Sequence, residues 1–255
     1  MNGKVALITG GSSGIGRETA AALTREGVKC VITGRSQKGL NDTLSAIDST
    51  NGSATAIPAD LTDPEDIARL VAEAVATFGR LDYLVNNAGT PGEVNPIADQ
   101  NPESYEQVFA INVRAVFLTM KHAIPHILAQ GGGAIVNVSS GGGLVGVPGA
   151  SLYCASKHAV NGLSKVAALD YAQAGIRVNT VNPGGVDTPM LRDFFDSIES
   201  DEQREEARAG FNATHPMGRI AQPEEIADAI VFLCSPKAGF ITGTALSIDG
   251  GYVAH

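Results

Sequence analysis

The chain has 255 residues, of which 44% are hydrophobic and 18% charged, so it can bury a large core without disulfide or metal support. Its net charge of −9, with no run of lysines and arginines, disfavours nucleic acid and anionic membranes as partners. No apolar stretch reaches the roughly 20 residues of a membrane span, and the N-terminus lacks a signal-peptide pattern. Three cysteines without paired spacing predict buried thiols in a reducing, cytoplasmic setting.

Strand-like and helix-like segments alternate along the whole chain. The predicted strands cover 5–9, 29–33, 53–59, 81–86, 134–139, 176–181 and 245–248. The predicted helices cover 14–26, 37–49, 64–78, a long stretch from 102 to 129, 152–173 and 223–233, with an acidic polar segment at 193–210. Asp63 is predicted to cap the helix that Pro64 opens.

Most of these strands are continuous apolar runs, which are typical of a parallel sheet buried on both faces. Strands that alternate with helices predict right-handed crossovers. We therefore expect an α/β fold: a Rossmann-like, doubly wound parallel sheet of about seven strands flanked by helices. No linker or repeat divides the chain, so residues 1–255 are expected to form one domain. In such a sheet, ligands bind beyond the carboxyl ends of the strands.

A glycine-rich turn follows the first strand and opens the first helix. Its glycines permit a sharp turn, a close approach of the backbone to a pyrophosphate, and close packing of helix on strand. The free N–H groups at the helix N-terminus suit phosphate. The predicted phosphate-binding residues are Gly10, Ser12, Ser13, Gly14, Ile15 and Gly16. A turn of this kind without a ligand is the alternative interpretation.

The spacing Thr-Gly-x-x-x-Gly-x-Gly resembles that of the short-chain dehydrogenase/reductase family. Further motifs in the family's order strengthen the resemblance over essentially the whole chain: 86–89 (Asn-Asn-Ala-Gly), Asn112, Ser140, Tyr153, Lys157, 182–184 (Asn-Pro-Gly) and 249–251 (Asp-Gly-Gly). The resemblance implies an enzyme that transfers a hydride between a nicotinamide cofactor and a carbonyl or alcohol. It also implies a homotetramer.

Cofactor choice depends on the end of the second strand. Gly34 stands where NAD-specific members place an acidic residue, and Arg35 follows it. A guanidinium in place of a carboxylate suits the 2′-phosphate of NADP, although use of NAD stays open. Arg17 adds positive charge nearby. The resemblance assigns the remaining cofactor contacts to Asp60, Leu61, Asn87, Ala88, Gly89, Pro183, Gly184, Val186 and Thr188, together with Tyr153 and Lys157.

Tyr153 and Lys157 lie four residues apart, so a helix presents them on one face. A free phenol has a pKa near 10, and a nearby ammonium and nicotinamide cation would lower it into a working range. The resemblance makes Tyr153 the acid/base, Lys157 its activator and ribose ligand, Ser140 a donor to the substrate oxygen, and Asn112 the holder of a water. Each residue alone has a structural alternative.

Cys154 is predicted to be a packing residue, because its side chain points about 100° around the helix from Tyr153. The histidines at 122, 126, 158 and 215 share no ligand spacing, so no metal site is predicted.

The resemblance places the substrate beneath a lid at 189–217. The expected lid is helical and amphipathic, with Leu191, Phe194, Phe195 and Ile198 facing inward. A surface helix pair that only packs on the body is the alternative. Four glycines, at 141, 142, 143 and 185, together with Val145, predict a roomy, mostly apolar pocket, and Arg192 is the one cation that could grip an anionic substrate.

Two other functions stay open. A 3-oxoacyl-acyl-carrier-protein reductase is one alternative, weakened by seven acidic residues against one basic residue between 193 and 206. A non-catalytic NADP-binding sensor is the other, and a purely structural oligomer is a hypothesis from a further class.

Overall fold

Among the described residues, 1–48 and 53–254, the computed structural model places seven strands in one parallel sheet with the order β3-β2-β1-β4-β5-β6-β7. The strands are β1 (Val5–Thr9), β2 (Lys29–Thr33), β3 (Ala54–Ala56), β4 (Tyr83–Asn86), β5 (Gly133–Val138), β6 (Ile176–Pro183) and β7 (Ala245–Ile248). The flanking helices are α1 (Gly14–Arg25), α2 (Gln37–Asp48), α3 (Pro64–Phe78), α4 (Pro102–Phe109), α5 (Ala115–Leu128), α6 (Ser151–Tyr171), α7 (Pro189–Asp196), α8 (Asp201–Ala213) and α9 (Pro223–Cys234).

The sheet is buried on both faces because successive strand residues enter two different cores. Leu7 of β1 packs into a cluster with α3, α5 and α6, whereas its neighbours Ala6 and Ile8 pack into a cluster with α1, α2 and α9. All five residues of β1 are buried, which explains its continuous apolar sequence. The predicted Rossmann-like α/β fold is confirmed.

The order of the strands reverses at β1, which pairs with β2 on one side and β4 on the other. The turns that follow β1 and β4 therefore meet at a topological switch point, where open α/β sheets bind their ligands. Residues that follow β5 and β6 lie at the same edge of the sheet.

Local signals set several boundaries as expected. The Asp63 carboxylate accepts a hydrogen bond from the Glu65 N–H at 2.9 Å and Pro64 occupies the first turn of α3. Gly79 ends that helix with a φ of +74°, a conformation that glycine adopts without strain.

Other boundaries differ from the sequence expectations. The third strand is only three residues long, and it stops two residues before Pro58, which has no N–H to donate to a ladder. The expected long helix from 102 is divided by a π-helical turn, Ala110–Arg114. Ser49, the expected end of the second helix, lies outside the described residues.

No helix in 1–48 or 53–254 is both long enough and apolar enough to span a bilayer. In the same ranges, no group of three or more His, Cys, Asp or Glu side chains is arranged to hold a metal ion.

Candidate active site

The turn after β1 is held against the turn after β4 by Asn87. Its side-chain amide donates to the carbonyls of Thr9 at 3.0 Å and Gly10 at 3.1 Å. A Cβ at Gly10 would lie 2.7 Å from that amide nitrogen, and one at Gly16 would collide with the Gly10 carbonyl. Two of the predicted phosphate-binding glycines are therefore required by the packing of the turn itself.

The N-terminus of α1 has no side-chain cap, because the Ser13 hydroxyl accepts no bond from it. The first N–H groups of a helix have no partner within the helix, so those of Gly14, Ile15 and Gly16 are available to a ligand. Gly14 (φ +51°) meets Thr188, whose Cγ2 would lie 3.0 Å from a Cβ at that position. Thr188 precedes α7 and likewise gives it no side-chain cap. Two uncapped helix N-termini thus lie side by side, which suits an anion.

At the end of β2, Gly34 lies close to Ser12. A Cβ at position 34 would come within 3.0 Å of the Ser12 hydroxyl, so an acidic side chain there would displace it. Arg35 is exposed beside them. Arg17 donates to the Ser12 carbonyl at 2.9 Å and to Thr43 at 3.1 Å, so it supports the turn.

Asp60 lies near enough to Arg35 for the guanidinium to affect its carboxyl group. Hydrogen bonds from the main chain and hydroxyl of Thr62 are the main reason that the pKa of Asp60 is lowered, and Arg35 adds a smaller lowering. The predicted adenosine-side residues after β2 and β3 are therefore neighbours.

The remaining predicted cofactor residues lie along the same edge of the sheet. Ala88 donates its N–H to the Thr9 hydroxyl at 3.1 Å, and Gly89 faces Asn112 and Lys157. Leu61 follows β3 and packs on the core. Pro183 ends β6, and Gly184 bonds to Ile248 of β7, whereas Val186 is buried and pairs with Ala221.

Lys157 is the buried cation of the site. Its side chain is only 4% exposed, its Nζ donates to the Val138 carbonyl at 2.9 Å, and it lies 5.6 Å from the centroid of the Tyr153 ring. Burial lowers the pKa of Lys157 to about 8. An ammonium has three donors, so two remain after the Val138 bond.

Tyr153 is half-buried and faces Ser140. Burial raises the pKa of Tyr153, and the hydrogen bond with the Ser140 hydroxyl offsets part of that rise. The expected lowering by the Lys157 ammonium is therefore not met by the protein groups alone. Ser140 begins the turn after β5, and its oxygen accepts from the Gly142 N–H at 3.1 Å, so its hydroxyl proton can point toward Tyr153.

Asn112 lies in the π-helical turn, and it is 1% exposed. Its amide accepts from the Thr90 N–H at 2.9 Å and donates to the Thr90 carbonyl at 2.9 Å and the Ser156 hydroxyl at 3.0 Å. The π-helical turn directs the Asn112 side chain toward α6, which carries Tyr153 and Lys157. Such π-helical turns occur often at functional sites. The side-chain amide of Asn112 is occupied by these bonds. A water bound at this point would therefore bond to the main chain of the π-helical turn.

A buried polar ladder beneath these residues was missed by sequence reasoning. Asn86 donates to Asn137 at 2.8 Å, and Asn137 donates to the Ser164 hydroxyl of α6 at 2.8 Å. Thr119 of α5 donates to Asn86 at 2.7 Å. The ladder ties α5 and α6 to adjacent strands, and the only signal in the sequence was an asparagine inside each apolar strand.

The glycines after Ser140 do not open the roomy pocket that we expected. A Cβ at Gly141 would lie 3.1 Å from the Tyr252 ring, one at Gly142 would lie 3.3 Å from the Cys154 sulfur, and one at Gly143 would collide with Ser139. These residues are glycine because the turn packs tightly. Cys154 is a buried packing residue, as predicted, and Cys30 and Cys234 are buried as well.

The segment after Thr188 is helical, as expected, and forms the two helices α7 and α8. Phe195 is buried, and Leu191 and Ile198 are partly buried, but Phe194 is 45% exposed, so its expected inward orientation is wrong. Adjacent residues of a helix point about 100° apart, so when Phe195 faces the core the neighbouring Phe194 points toward solvent. Arg192 forms two hydrogen bonds with Asp187, at 2.7 and 2.9 Å, and is therefore not a free cation for the substrate.

A cavity of about 290 Å³ lies between these helices and the segment before α9. None of Ser140, Tyr153 or Lys157 lines it, so it is separate from the reacting groups. Its lining residues are Asp187, Leu191, Arg192, Phe195, Arg208, Asn212, Arg219, Ile220 and Gln222.

The whole chain is similar to characterised enzymes. Residues 10–253 match a family model described as enoyl-(acyl carrier protein) reductase. Cyclohexanol dehydrogenase of Acinetobacter sp. (strain SE19) is 43% identical over 100% of this chain and 96% of its own length.

Solved structures agree with the fold throughout. The crystal structure of levodione reductase matches with a TM-score of 0.96 and 35% identity, covering 100% of this chain and 99% of the other. A variant of actinorhodin polyketide ketoreductase with NADPH matches with a TM-score of 0.93 and 38% identity, covering 99% of this chain and 98% of the other.

Proposed function

This chain belongs to the short-chain dehydrogenase/reductase family and is an oxidoreductase, and from that premise we propose that it transfers a hydride between NADP(H) and the carbonyl or secondary alcohol of a mostly apolar small molecule. The observation that carries the proposal is the buried Lys157 beside Tyr153, whose phenol faces Ser140. These three groups supply an acid/base and a donor at one point, next to the paired helix N-termini.

The cofactor would be held by groups along the carboxyl edge of the sheet. The N–H groups at the start of α1 and the Thr188 turn bind the pyrophosphate, and Lys157 donates to the nicotinamide ribose. Val186 and Thr188 hold the nicotinamide carboxamide, and Asp60 and Leu61 border the adenine ring. When bound, NADP(H) supplies or accepts the hydride, so these residues need only position it.

Proton transfer is the task of Tyr153. In reduction its hydroxyl donates a proton to the substrate oxygen, and in oxidation its phenolate accepts that proton. Ser140 donates a hydrogen bond to the same oxygen as negative charge develops on it. Lys157 carries its positive charge below its pKa of about 8, and that charge favours the phenolate. Asn112 positions a water through the main chain of its π-turn, which connects Lys157 to solvent.

Preference for NADP rests on position 34 and its neighbour. Gly34 supplies no carboxylate to bind both ribose hydroxyls, and the exposed Arg35 offers a guanidinium to the 2′-phosphate. NAD is the weaker cofactor in this proposal.

The substrate is a neutral ketone or secondary alcohol. Arg192 is engaged by Asp187, and α8 carries acidic residues in its first turn, so an anionic substrate finds no free cation in the lid. The same negative charge disfavours an acidic carrier protein as the partner. A cyclic substrate agrees with the activity of the Acinetobacter relative, which is named for cyclohexanol.

Residues 189–217 act as the lid over the substrate. The buried Phe195 anchors α7, whereas no residue of α8 is buried, so α8 contributes little buried surface to the enzyme. Segments with few buried contacts open at low cost, which suits a lid that must admit and release ligands.

The enzyme assembles as a homotetramer in the cytoplasm. Phe117 of α5 and Val166 and Leu169 of α6 are 48%, 58% and 81% exposed, an apolar surface that another subunit would cover. The buried free thiols suit a reducing compartment. Light scattering after size-exclusion chromatography should give four times the 26.2 kDa chain mass, and a monomer would contradict the assembly.

The decisive experiment compares the wild type with Tyr153→Phe. Both proteins are titrated with NADPH and NADH by fluorescence, and both are assayed with cyclic ketones and secondary alcohols. We expect tighter binding of NADPH, and turnover reduced about 100- to 10,000-fold in the variant with little change in cofactor affinity. Cofactor binding without turnover by the wild type would favour the sensor, and equal activity of the variant would remove Tyr153 from the mechanism.

A further inference from the structure

His215 is not one of the predicted catalytic residues, yet it is almost completely buried. Its side chain is 3% exposed and lies between the end of α8 and the turn that follows β6. The Gly185 N–H donates to its Nε2 at 2.8 Å, and its Nδ1 lies 3.0 Å from the Phe211 carbonyl oxygen. One imidazole therefore bridges the lid and the turn that is proposed to hold nicotinamide.

These two partners determine which nitrogen of the ring carries the proton. A main-chain N–H can only donate, so Nε2 must be the unprotonated acceptor. A carbonyl oxygen can only accept, so Nδ1 must carry the hydrogen and donate it to Phe211. The Thr214 hydroxyl, 3.1 Å from Nδ1, itself donates to the Phe211 carbonyl at 2.8 Å and leaves this assignment unchanged. The structure thus requires a neutral Nδ1–H tautomer.

The ring of His215 is also packed against the other side of the site. It stacks on Tyr252, with centroids 5.4 Å apart and an angle of 26° between the planes. The Tyr252 ring in turn lies against Gly141, the residue after Ser140, where a Cβ would be 3.1 Å away. His215 and Tyr252 together connect the turn after β6 to the turn that carries Ser140.

Small residues allow this close approach. A Cβ at Gly184 would lie 2.7 Å from the His215 Nε2, and one at Gly185 would lie 2.5 Å from the Phe211 ring. The turn after β6 is therefore shaped to admit the imidazole and the end of the lid.

We propose that His215 is a positioning residue for hydride transfer. Its Nε2 holds the Gly184–Gly185 turn in the position from which that turn would bind nicotinamide, and its Nδ1–H connects the turn to the lid. This inference rests on the proposed function. His215 touches neither the cofactor nor the substrate. It acts through the main chain of the turn, so its loss should weaken cofactor binding and turnover together.

Two substitutions separate its two hydrogen bonds. Glutamine places a side-chain oxygen near the position of Nε2 and can still accept from the Gly185 N–H. Asparagine places its amide near Nδ1 and can still donate to Phe211, but it leaves the Gly185 N–H without an acceptor. A buried N–H without a partner is costly, so we expect NADPH to bind His215→Asn about tenfold more weakly, with kcat lowered by a similar factor.

His215→Gln should rescue both quantities to within about threefold of the wild type. His126→Asn, at a half-buried histidine near the end of α5, is the matched control and should match the wild type. If His215→Asn binds NADPH as tightly as His126→Asn does, or if the glutamine variant is impaired as strongly as the asparagine variant, the proposed role is wrong. Thermal melts of all three variants establish that each is folded at the assay temperature.

A measurement on the wild type avoids any folding defect. In protein labelled with ¹⁵N-histidine, the resonances missing from His215→Gln identify His215, and their shifts should report a protonated Nδ1 and an unprotonated Nε2. A neutral Nε2–H form would overturn the inference. A wild type that binds neither NADPH nor NADH would instead contradict the proposed function, so the two failures are distinguishable.

Discussion

The catalytic helix α6 and the lid helix α8 are both amphipathic in sequence, but they are held in very different ways. Eight residues of α6 are buried, among them Lys157 and the Ser164 that joins the polar ladder beneath the sheet edge. No residue of α8 is buried; its Phe211 ring contacts Phe195 of α7 and His215, and His215 accepts a hydrogen bond from Gly185 in the turn after β6. The proposed proton-transfer groups thus lie on a buried framework, whereas the proposed lid lies on a helix that buries none of its residues.

Lys157→Met tests what the buried ammonium contributes to turnover and what its burial costs in stability. Removal of the ammonium should lower turnover about 100- to 10,000-fold, because the phenol of Tyr153 loses the nearby charge that favours its ionisation. The same change should raise the free energy of unfolding at pH 7 by about 1–3 kcal/mol, because burial disfavours the charged lysine, as its pKa of about 8 indicates. Chemical denaturation without cofactor measures the second effect.

The pH dependence of stability sharpens this prediction. The pKa of Lys157 falls from 10.5 to about 8 on burial, so between these values the unfolded chain binds more protons than the folded one. Wild-type stability should therefore gain a contribution as pH rises from 8 to 10.5, and Lys157→Met should lack it. Lys165→Met, at an exposed lysine of the same helix, is the control and should keep both activity and the pH dependence. If Lys157→Met were active and less stable than the wild type, both the proposed catalytic role of Lys157 and the predicted cost of its burial would be wrong.

Hydrogen exchange compares the two helices directly. Amides of α8 should exchange at least about 100-fold faster than those in the middle of α6, because local opening of α8 exposes little apolar surface. The measurement is native-state exchange followed by mass spectrometry. Saturation with NADPH should slow α8 more than α6 if the lid closes over the cofactor. Equal protection of both helices would mean that α8 is part of the rigid body.

Arg35→Gln examines the cofactor end of the framework. We expect NADPH to bind about 10- to 100-fold more weakly and NADH affinity to stay unchanged, because only the 2′-phosphate interacts with the guanidinium. Fluorescence titration with both cofactors provides the measurement. Arg25→Gln, at an exposed arginine in the last turn of α1, should change neither affinity. Equal losses for both cofactors would argue against a phosphate contact.

Arg192→Gln should have the smallest effect. The ion pair with Asp187 is partly exposed, and such pairs contribute about 0–1 kcal/mol to stability. Because the ion pair contributes so little, the ratio of activities on neutral and anionic ketones should change by no more than about twofold. Lys38→Gln, which breaks the exposed pair with Asp42, is the matched control. A large loss of activity on anionic ketones alone would return Arg192 to the substrate site.

Much of the cofactor site could be predicted from the sequence because its signals are local. The turn after β1 needs its glycines within seven residues, and the backbone of that turn dictates them through φ at Gly10 and Gly14 and through the contact of Gly16 with the Gly10 carbonyl. The four-residue spacing of Tyr153 and Lys157 likewise places them on one helical face whatever the rest of the chain does.

The substrate side could not be predicted in the same way, because its contacts join distant parts of the chain. The glycines after Ser140 suggested open space, but the structure fills it with Tyr252, which is more than 100 residues away in the sequence. The exposed side of Phe194 and the pairing of Arg192 with Asp187 depend on how two short helices settle on the body.

The sequence by itself determined the alternation of strands and helices, the parallel sheet and the order of the motifs, since apolar periodicity and turn chemistry act over a few residues. Only the tertiary structure decided how the turns after β5 and β6 are joined, because that depends on His215 and Tyr252 reaching the same point from separate segments. A hydrogen bond to Gly185 leaves no trace in the spacing of a lone histidine. Packing at distance is what selects its partners.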